Sequence, residues 1–382
     1  MTNPSSFSRV LILGAGRIGE SIATMLGGAG YHVTIADREP VRLRKMAGPH
    51  TATLQLDIAN RSALLAGMRG HDAVLNALPF SAAEQVAGAA VESGVHYFDL
   101  TEDVAATRAI RALATNARSV LMPQCGLAPG FVGIVANNLA RRFERLSDLR
   151  MRVGALPRYS RNALKYNLTW STEGLINEYC NPCETIVDGE RITVPALEGY
   201  ETFALDGVTY EAFNTSGGLG TLCETLAGKV KHLDYKSIRY PGHRDIVKLL
   251  LDDLRLRDRR DLLKEIFETA IPTTQQDVVI VFVTAAGYRR GHFVQESFLT
   301  EVHGRPVKGT DYSAIQLTTA AGICAAFELV KTGKLPQSGF VRQEDVRLED
   351  LMASRFGPYF ESGAGERDAQ KEAKLAETGL VV

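Results

Sequence analysis

Residues 10–26 read VLILGAGRIGESIATML, and how they fold decides the architecture. Four apolar residues, Val10 to Leu13, run into Gly14, Gly16 and Gly19, and an amphipathic stretch follows at once. Strand, glycine turn and helix in that order make the G-x-G-x-x-G fingerprint of a dinucleotide-binding unit. Glycine-rich turns alone are common, so the context carries the weight. Backbone amides freed by Gly14 and Gly16, beside Arg17 and Ile18, would hold a pyrophosphate at the positive end of the helix dipole, while Gly19 lets the helix pack close to the strand. A second strand ends at Asp37, eighteen residues beyond Gly19, where a carboxylate would meet the ribose hydroxyls. That acid repels a 2′-phosphate and favours NAD; Arg38, immediately after it, would accommodate NADP.

Outward from this stretch, apolar runs at Val10–Leu13, His32–Ala36, Thr51–Leu56, Ala73–Ala77 and Ser119–Met122 alternate with helical patterns. Alternation of this kind predicts an α/β fold with a parallel sheet covered on both faces. LDIAN at 56–60, with Asp57 and Ile58, and VLNALPF at 74–80, with Asn76, Leu78 and Pro79, end the third and fourth strands at the cofactor edge, or are ordinary loop chemistry. GVHYFDLTED at 94–103 puts His96, Asp99 and Glu102 near the end of the fifth strand, close to a nicotinamide. Asp99 and Glu102 equally suit a helix N-cap and its first-turn acid, and for Glu102 capping is the preferred reading.

After Pro129 the texture changes. A helix from about 130 to 143, a strand at Leu149–Val153 and a hairpin over 277–304 around GYRRG predict a second, α+β domain with an antiparallel component. Residues 313–332 read as one long apolar helix ended by Gly333 and Pro336. The last twenty or so residues read as an exposed helix or tail.

Length and charge bound the function. The 382 residues suffice for two domains, and a net charge of -1 without a basic block excludes the footprint of a nucleic-acid binder or a membrane-seeking patch. No stretch approaches eighteen uninterrupted apolar residues, the N-terminus lacks a leader pattern, and a cytoplasmic location with small-molecule partners is expected. Five scattered cysteines fit reduced thiols. Cys180 and Cys183 have the spacing of a redox pair or half a zinc site, but no partner motif completes it, so no metal is expected. Cys125 lies at the domain junction, where a small buried residue is the simpler reading.

ALKYNLTWSTEGLINEY at 163–179, EAFNTSGGLGTL at 211–222 and YKSIRYPGHRDIVKLL at 235–250, with GLAPG at 126–130, resemble the saccharopine dehydrogenase family, which includes saccharopine reductases and lysine 6-dehydrogenases. The resemblance covers nearly the whole chain. It implies a Rossmann domain (1–124 and 313–360), a substrate domain on a mixed sheet (125–312), a C-terminal helix that returns to the first domain, and a tail (361–382). It also implies an NAD(P)-dependent oxidoreductase that removes hydride from the carbon bearing a lysine-type ε-nitrogen, and a homodimer.

Saccharopine, releasing glutamate, is the expected substrate. Ala128 in GLAPG and NTSGGLGTL depart from the eukaryotic pattern, which makes oxidative deamination of lysine the alternative; a non-catalytic dinucleotide sensor is the alternative from another class. An amine with a pKa of about 10.4 is protonated at neutral pH, so a base is needed. Resemblance and placement point to Asp99, Cys125 and His243 for proton handling. Tyr166, Trp170 and Ser171 match the family's substrate-lining segment, and Arg239 would grip a carboxylate bidentately. Gly217, Gly218 and Gly220 suggest a mobile loop or a close backbone approach to ligand.

Overall fold

A computed structural model describes residues 9–46, 48, 51–307 and 309–363. Its first half alternates β1 (Arg9–Leu13), α1 (Arg17–Gly28), β2 (His32–Asp37), α2 (Pro40–Leu43), β3 (Thr51–Gln55), α3 (Arg61–Met68), β4 (Ala73–Asn76), α4 (Ala83–Ser93), β5 (His96–Asp99), α5 (Val104–Ala114) and β6 (Val120–Met122). The strands pair in parallel in the order β6-β5-β4-β1-β2-β3. Central parallel strands are covered on both faces, which is why β1 and β4 read as unbroken apolar runs and are buried almost throughout. Strand order reverses between β1 and β4, and that reversal opens a crevice at their carboxyl ends. Gly14 turns the chain there at φ +100, with its N–H donating to the Ala36 carbonyl at 2.8 Å. A Cβ on Gly19 would overlap the Gly14 carbonyl, so only glycine lets α1 seat this close.

The second half contains α6 (Phe131–Ala140), β7 (Arg145–Pro157), α7 (Thr172–Cys180), β8 (Cys183–Val187), β9 (Glu190–Val194), β10 (Glu201–Leu205), β11 (Val208–Asn214), α8 (Leu222–Leu226), β12 (Val230–Arg239), α9 (His243–Lys248), α10 (Arg260–Ala270), β13 (Asp277–Arg289) and β14 (His292–His303). Its sheet runs β10-β11-β12-β7-β13-β14, with β8 joining β12 to β9. Only β12 and β7 pair in parallel, so the sheet is mixed. The expected hairpin is β13–β14, paired from Val278 with His303 to Arg289 with His292.

After the short hairpin of β15 (Arg305–Val307) and β16 (Thr310–Tyr312), the chain enters α11 (Ala314–Lys331), then β17 (Gly339–Phe340) and α12 (Leu348–Met352). Ser313 and Gln316 form a capping box on α11, and the Asp277 carboxylate accepts from the Ala314 and Ile315 amides at 2.5 and 3.0 Å. This is the helix that returns. Phe327 meets Tyr31 and Phe98 edge-on at 5.1 and 6.0 Å, and β17 adds a seventh parallel strand beside β6. Among the described residues α11 alone is long and apolar enough to cross a membrane, and 89% of it is buried inside the protein. Of the expected C-terminal tail, residues 364–382 lie outside the described residues.

Candidate functional site

A cavity of about 580 Å³ lies between the carboxyl edge of the parallel sheet and the mixed sheet. Gly16, Arg17, Ile18, Leu78 and Pro79 form its first wall, and Trp170, Ser171, Tyr235, Ser237 and Arg239 face them. Ile315, Gln316 and Thr319 of α11 close the gap. No atom stands within 4 Å of where a Cβ on Gly16 would be, so the start of α1 is open to a ligand. A cleft of about 630 Å³, lined by Arg141, Arg342 and Glu344, shares none of these residues.

Arg239 is the best-braced group in the cavity. It is only 3% exposed; its Nε donates to the Tyr179 hydroxyl at 2.9 Å and its Nη1 to the Ile238 carbonyl at 2.8 Å. The Tyr179 hydroxyl also bonds His243 Nε2 at 2.9 Å, and His243 Nδ1 donates to the Leu164 carbonyl at 2.8 Å. That carbonyl partner places the ring proton on Nδ1, so Nε2 accepts from Tyr179. Burial, and then the Arg239 charge, push the imidazole down to about 3, which keeps it neutral. Tyr166 lies under the guanidinium, 5.1 Å from ring centre to charge.

Acidic groups surround this cation. Glu178 stands 3.8 Å from Arg239 Nη2, yet burial outweighs the charge and pushes its carboxyl up to about 8. Glu102, on the loop after β5, is raised to about 7 by burial, with Asp103 adding repulsion. Glu173 and Glu268 also line the cavity, and among the described residues Arg17 and Arg239 are its only arginines and lysines.

The family model of the saccharopine dehydrogenase NADP binding domain matches residues 10–122, and that of the saccharopine dehydrogenase C-terminal domain matches residues 126–356. The chain belongs to the saccharopine dehydrogenase family. Its similarity to a saccharopine dehydrogenase (NADP(+), L-glutamate-forming) of Pyricularia oryzae is 24% identity over 290 residues, 72% of this chain and 64% of that one. The enzyme of the same name from Schizosaccharomyces pombe is 21% identical over 214 residues, 53% of this chain and 48% of that one. The match therefore spans less than two thirds of these relatives' length. Among solved structures, apo saccharopine dehydrogenase (L-Glu forming) from Saccharomyces cerevisiae superposes with a TM-score of 0.75 at 18% identity, covering 90% of this chain and 96% of that one. That likeness is one of fold.

Within this family fold, the three residues expected to handle protons lie off the cavity surface. Asp99, 1% exposed, accepts from the Tyr97 hydroxyl at 2.7 Å and the Thr101 and Gln124 amides at 3.0 and 2.9 Å. It ties the ends of β5 and β6 together, and burial raises it to about 6. Cys125 donates its thiol proton to the Met122 carbonyl at 3.0 Å and is held well above the usual thiol range by burial, so it remains a thiol. His243 stands behind Tyr179. Tyr166 is likewise one layer back, whereas Trp170, Ser171 and Arg239 line the cavity. Ser171 also caps α7, accepting from the Gly174 amide at 3.2 Å.

The expected cofactor residues divide. Gly16, Arg17, Ile18, Leu78 and Pro79 line the cavity, and Gly14 and Gly19 shape the turn. Asp37 is turned inward, its two oxygens accepting from the Ala15 and Glu39 amides at 2.8 and 2.9 Å, while the Arg38 side chain is 75% exposed. Asp57 accepts from the Ala59 amide at 2.9 Å and Ile58 packs on an apolar cluster; neither lines the cavity. Asn76 bonds the Tyr97 hydroxyl and the Leu78 amide at 3.3 and 3.2 Å, setting how the chain leaves β4. Gly217 and Gly218 come close to Glu102 and the Tyr235 ring, where a Cβ would overlap them. Cys180 and Cys183 are free thiols, and no metal-ligating cluster occurs among the described residues.

Two acids were missed or misread. Asp103, accepting from the Ala106 amide at 2.7 Å, is the cap of α5, so Glu102 is not. Glu178 was missed, though its signal was present: it falls beside Leu175, Ile176 and Tyr179 on the buried face of α7.

Proposed function

We propose that this chain is an NADP-dependent saccharopine dehydrogenase that oxidises the bond between the ε-carbon and nitrogen of saccharopine, yielding glutamate and 2-aminoadipate 6-semialdehyde. The observation that carries this reading is the shared cavity, with the glycine fingerprint on one wall and a braced arginine on the other. When bound, the nicotinamide accepts the hydride. The residues present fit such a cofactor: the first amides of α1 open onto free space beside Gly16, and Arg17 supplies positive charge. Asp37 is occupied by two backbone amides and Arg38 stands in solvent, an arrangement that favours NADP over NAD. Replacing Arg38 with Ala should weaken NADP about tenfold and leave NAD nearly unchanged, read by fluorescence titration of each nucleotide. Arg239 holds a substrate carboxylate and Trp170 walls the aliphatic chain.

A second reading, oxidation of free lysine with release of ammonia, is favoured by charge. Four glutamates and two arginines line the cavity; burial raises Glu178 to about 8 and Glu102 to about 7, and an ammonium would draw both back to carboxylates, which the three carboxylates of saccharopine would not. Purified protein with NADP and either compound separates the readings: reduction with saccharopine alone supports the first, reduction with lysine alone the second. Tight cofactor binding without turnover of either would leave a dinucleotide sensor. We place the enzyme in the cytosol, consistent with five buried free thiols, and read it as a homodimer whose second copy covers the exposed Phe293 and Leu299 of edge strand β14. A monomer mass in light scattering would overturn the latter. The division at 124/125 and 312/313 stands as our domain assignment.

A further inference from the structure

Glu102 and Glu178 line two cavities at once. One is the site already described; the other is a cleft of about 310 Å³ on the far side, whose walls include Arg108, Asn177 and Glu184. The two carboxylates thus form part of the partition between the substrate space and a second opening. Glu102 is seated with care. Its Oε1 comes within 3.1 Å of where a Cβ on Gly174 would stand, and that same Cβ would overlap the Trp170 indole. Only the bare backbone of Gly174 lets the carboxylate and the indole converge on one spot of the cavity wall.

We propose that Glu102 takes the proton from the substrate nitrogen before hydride leaves, and that the second cleft carries this proton to solvent; the proposal rests on the dehydrogenase reading above. In the step, the N–H bond breaks and its electron pair stays on nitrogen, while an O–H bond forms on Glu102. The neighbouring C–H electron pair then departs with hydride to the oxidised nicotinamide, leaving an iminium that water hydrolyses. Glu102 regains its charge by releasing its proton past Glu178 into the cleft.

Other bases are poorly placed. Asp99 is enclosed by three donors, Cys125 is a buried thiol, and His243 has its only free lone pair on Tyr179. Glu173 is half exposed and sits 3.8 Å from Lys264. A general base works best when its pKa is near the working pH, and burial raises Glu102 to about 7. Asp103 on its own loop, Asp99 on β5 and Glu173 on α7 add negative charge around it. Glu178 faces it from α7 with Arg239 beyond, and Arg108 and Glu184 flank it on the cleft side.

Trp170 is the only tryptophan, so its fluorescence reports this spot. A neutral carboxyl quenches an adjacent indole more than a carboxylate does, so emission should rise through a step near pH 7. The Glu102→Gln variant should lose that step and at least ~100-fold in kcat/KM, with NADP affinity within about twofold of wild type. Glu173→Gln removes a neighbouring charge and should move both the emission step and the ascending limb of kcat/KM to lower pH. A wild-type protein with no emission step, or a Glu102→Gln variant retaining more than about a third of the wild-type kcat/KM with its limb unmoved, overturns the proposal alone. Wild-type protein that oxidises neither saccharopine nor lysine overturns the proposal together with the reading beneath it.

Discussion

Arg239 owes its position to residues that never reach the cavity. The Tyr179 hydroxyl accepts a hydrogen bond from Arg239 Nε and donates one to His243 Nε2, and the imidazole ends the chain by donating to a backbone carbonyl. Tyr179→Phe leaves a buried donor and a buried acceptor unpaired, each costing about 1–3 kcal/mol. Stability should fall by that order in urea, and KM should rise about tenfold while kcat changes less, because the guanidinium is freed from its setting without being removed. His243 has a second consequence. Its pKa falls from 6.5 unfolded to about 3 folded, so the unfolded chain binds more protons between these values. The contribution of His243 to stability is full above pH 6.5 and is lost as pH falls, by about 2 kcal/mol at pH 5, while the buried carboxyls with raised pKa values act in the opposite direction. In His243→Gln the difference between pH 7 and pH 5 should shrink by about that amount, measured by urea unfolding at both values. These roles were hard to read in sequence. A histidine after Pro-Gly looks the same whether it faces a ligand or a tyrosine, and burial, not local pattern, decides between them. Trp170 was legible as a cavity residue through the resemblance of its segment, and Arg239 because a planar guanidinium suits a carboxylate; Glu178 was overlooked because acids on short helices are usually solvated.

At the scale of elements, packing decides against propensity in α11 and with it in α6. A Cβ at Gly322 would stand 2.6 Å from the Cys125 carbonyl oxygen and 2.8 Å from that of Gly126, where α11 presses on the loop joining the two halves. Alanine gains about 1 kcal/mol of helix propensity, but overpacking against rigid backbone costs about 1–3 kcal/mol, so Gly322→Ala should destabilise. Gly133 in α6 has no atom within 4 Å of the same position, and Gly133→Ala should stabilise by up to about 1 kcal/mol. Urea midpoints of opposite sign check the pair. The central strands β1 and β4 were legible to within a residue because burial on both faces leaves them nearly all apolar, whereas the exposed edge strand β3 was legible from its β-branched residues. β17, two residues long, carries no periodicity, and β9 and β10 contain no buried residue, so neither kind declares itself without its partners.

Over the whole molecule, one apolar core joins both halves. Ile12 and Phe98 from the parallel sheet, Met151 and Val281 from the mixed sheet, and Leu317 and Phe327 of α11 belong to the same buried cluster. Unfolding should accordingly be a single cooperative transition by calorimetry, not two. Asp277→Ala strips the acceptor from two amides at the start of α11 and should cost about 1–2 kcal/mol. Because Ile315, Gln316 and Thr319 follow directly in the cavity wall, NADP should also bind more weakly, by calorimetric titration. The return of the helix was legible only through resemblance, since no local pattern tells a chain where to go back to.

The late arrival of α11 and β17 constrains synthesis. A ribosome delivers the nucleotide-binding strands first, yet the helix that covers Phe98 and the strand that borders β6 are still hundreds of residues from the exit tunnel. Until that segment emerges, the nascent sheet carries an uncovered apolar flank and an open edge, the two features that recruit chaperones and invite misassembly.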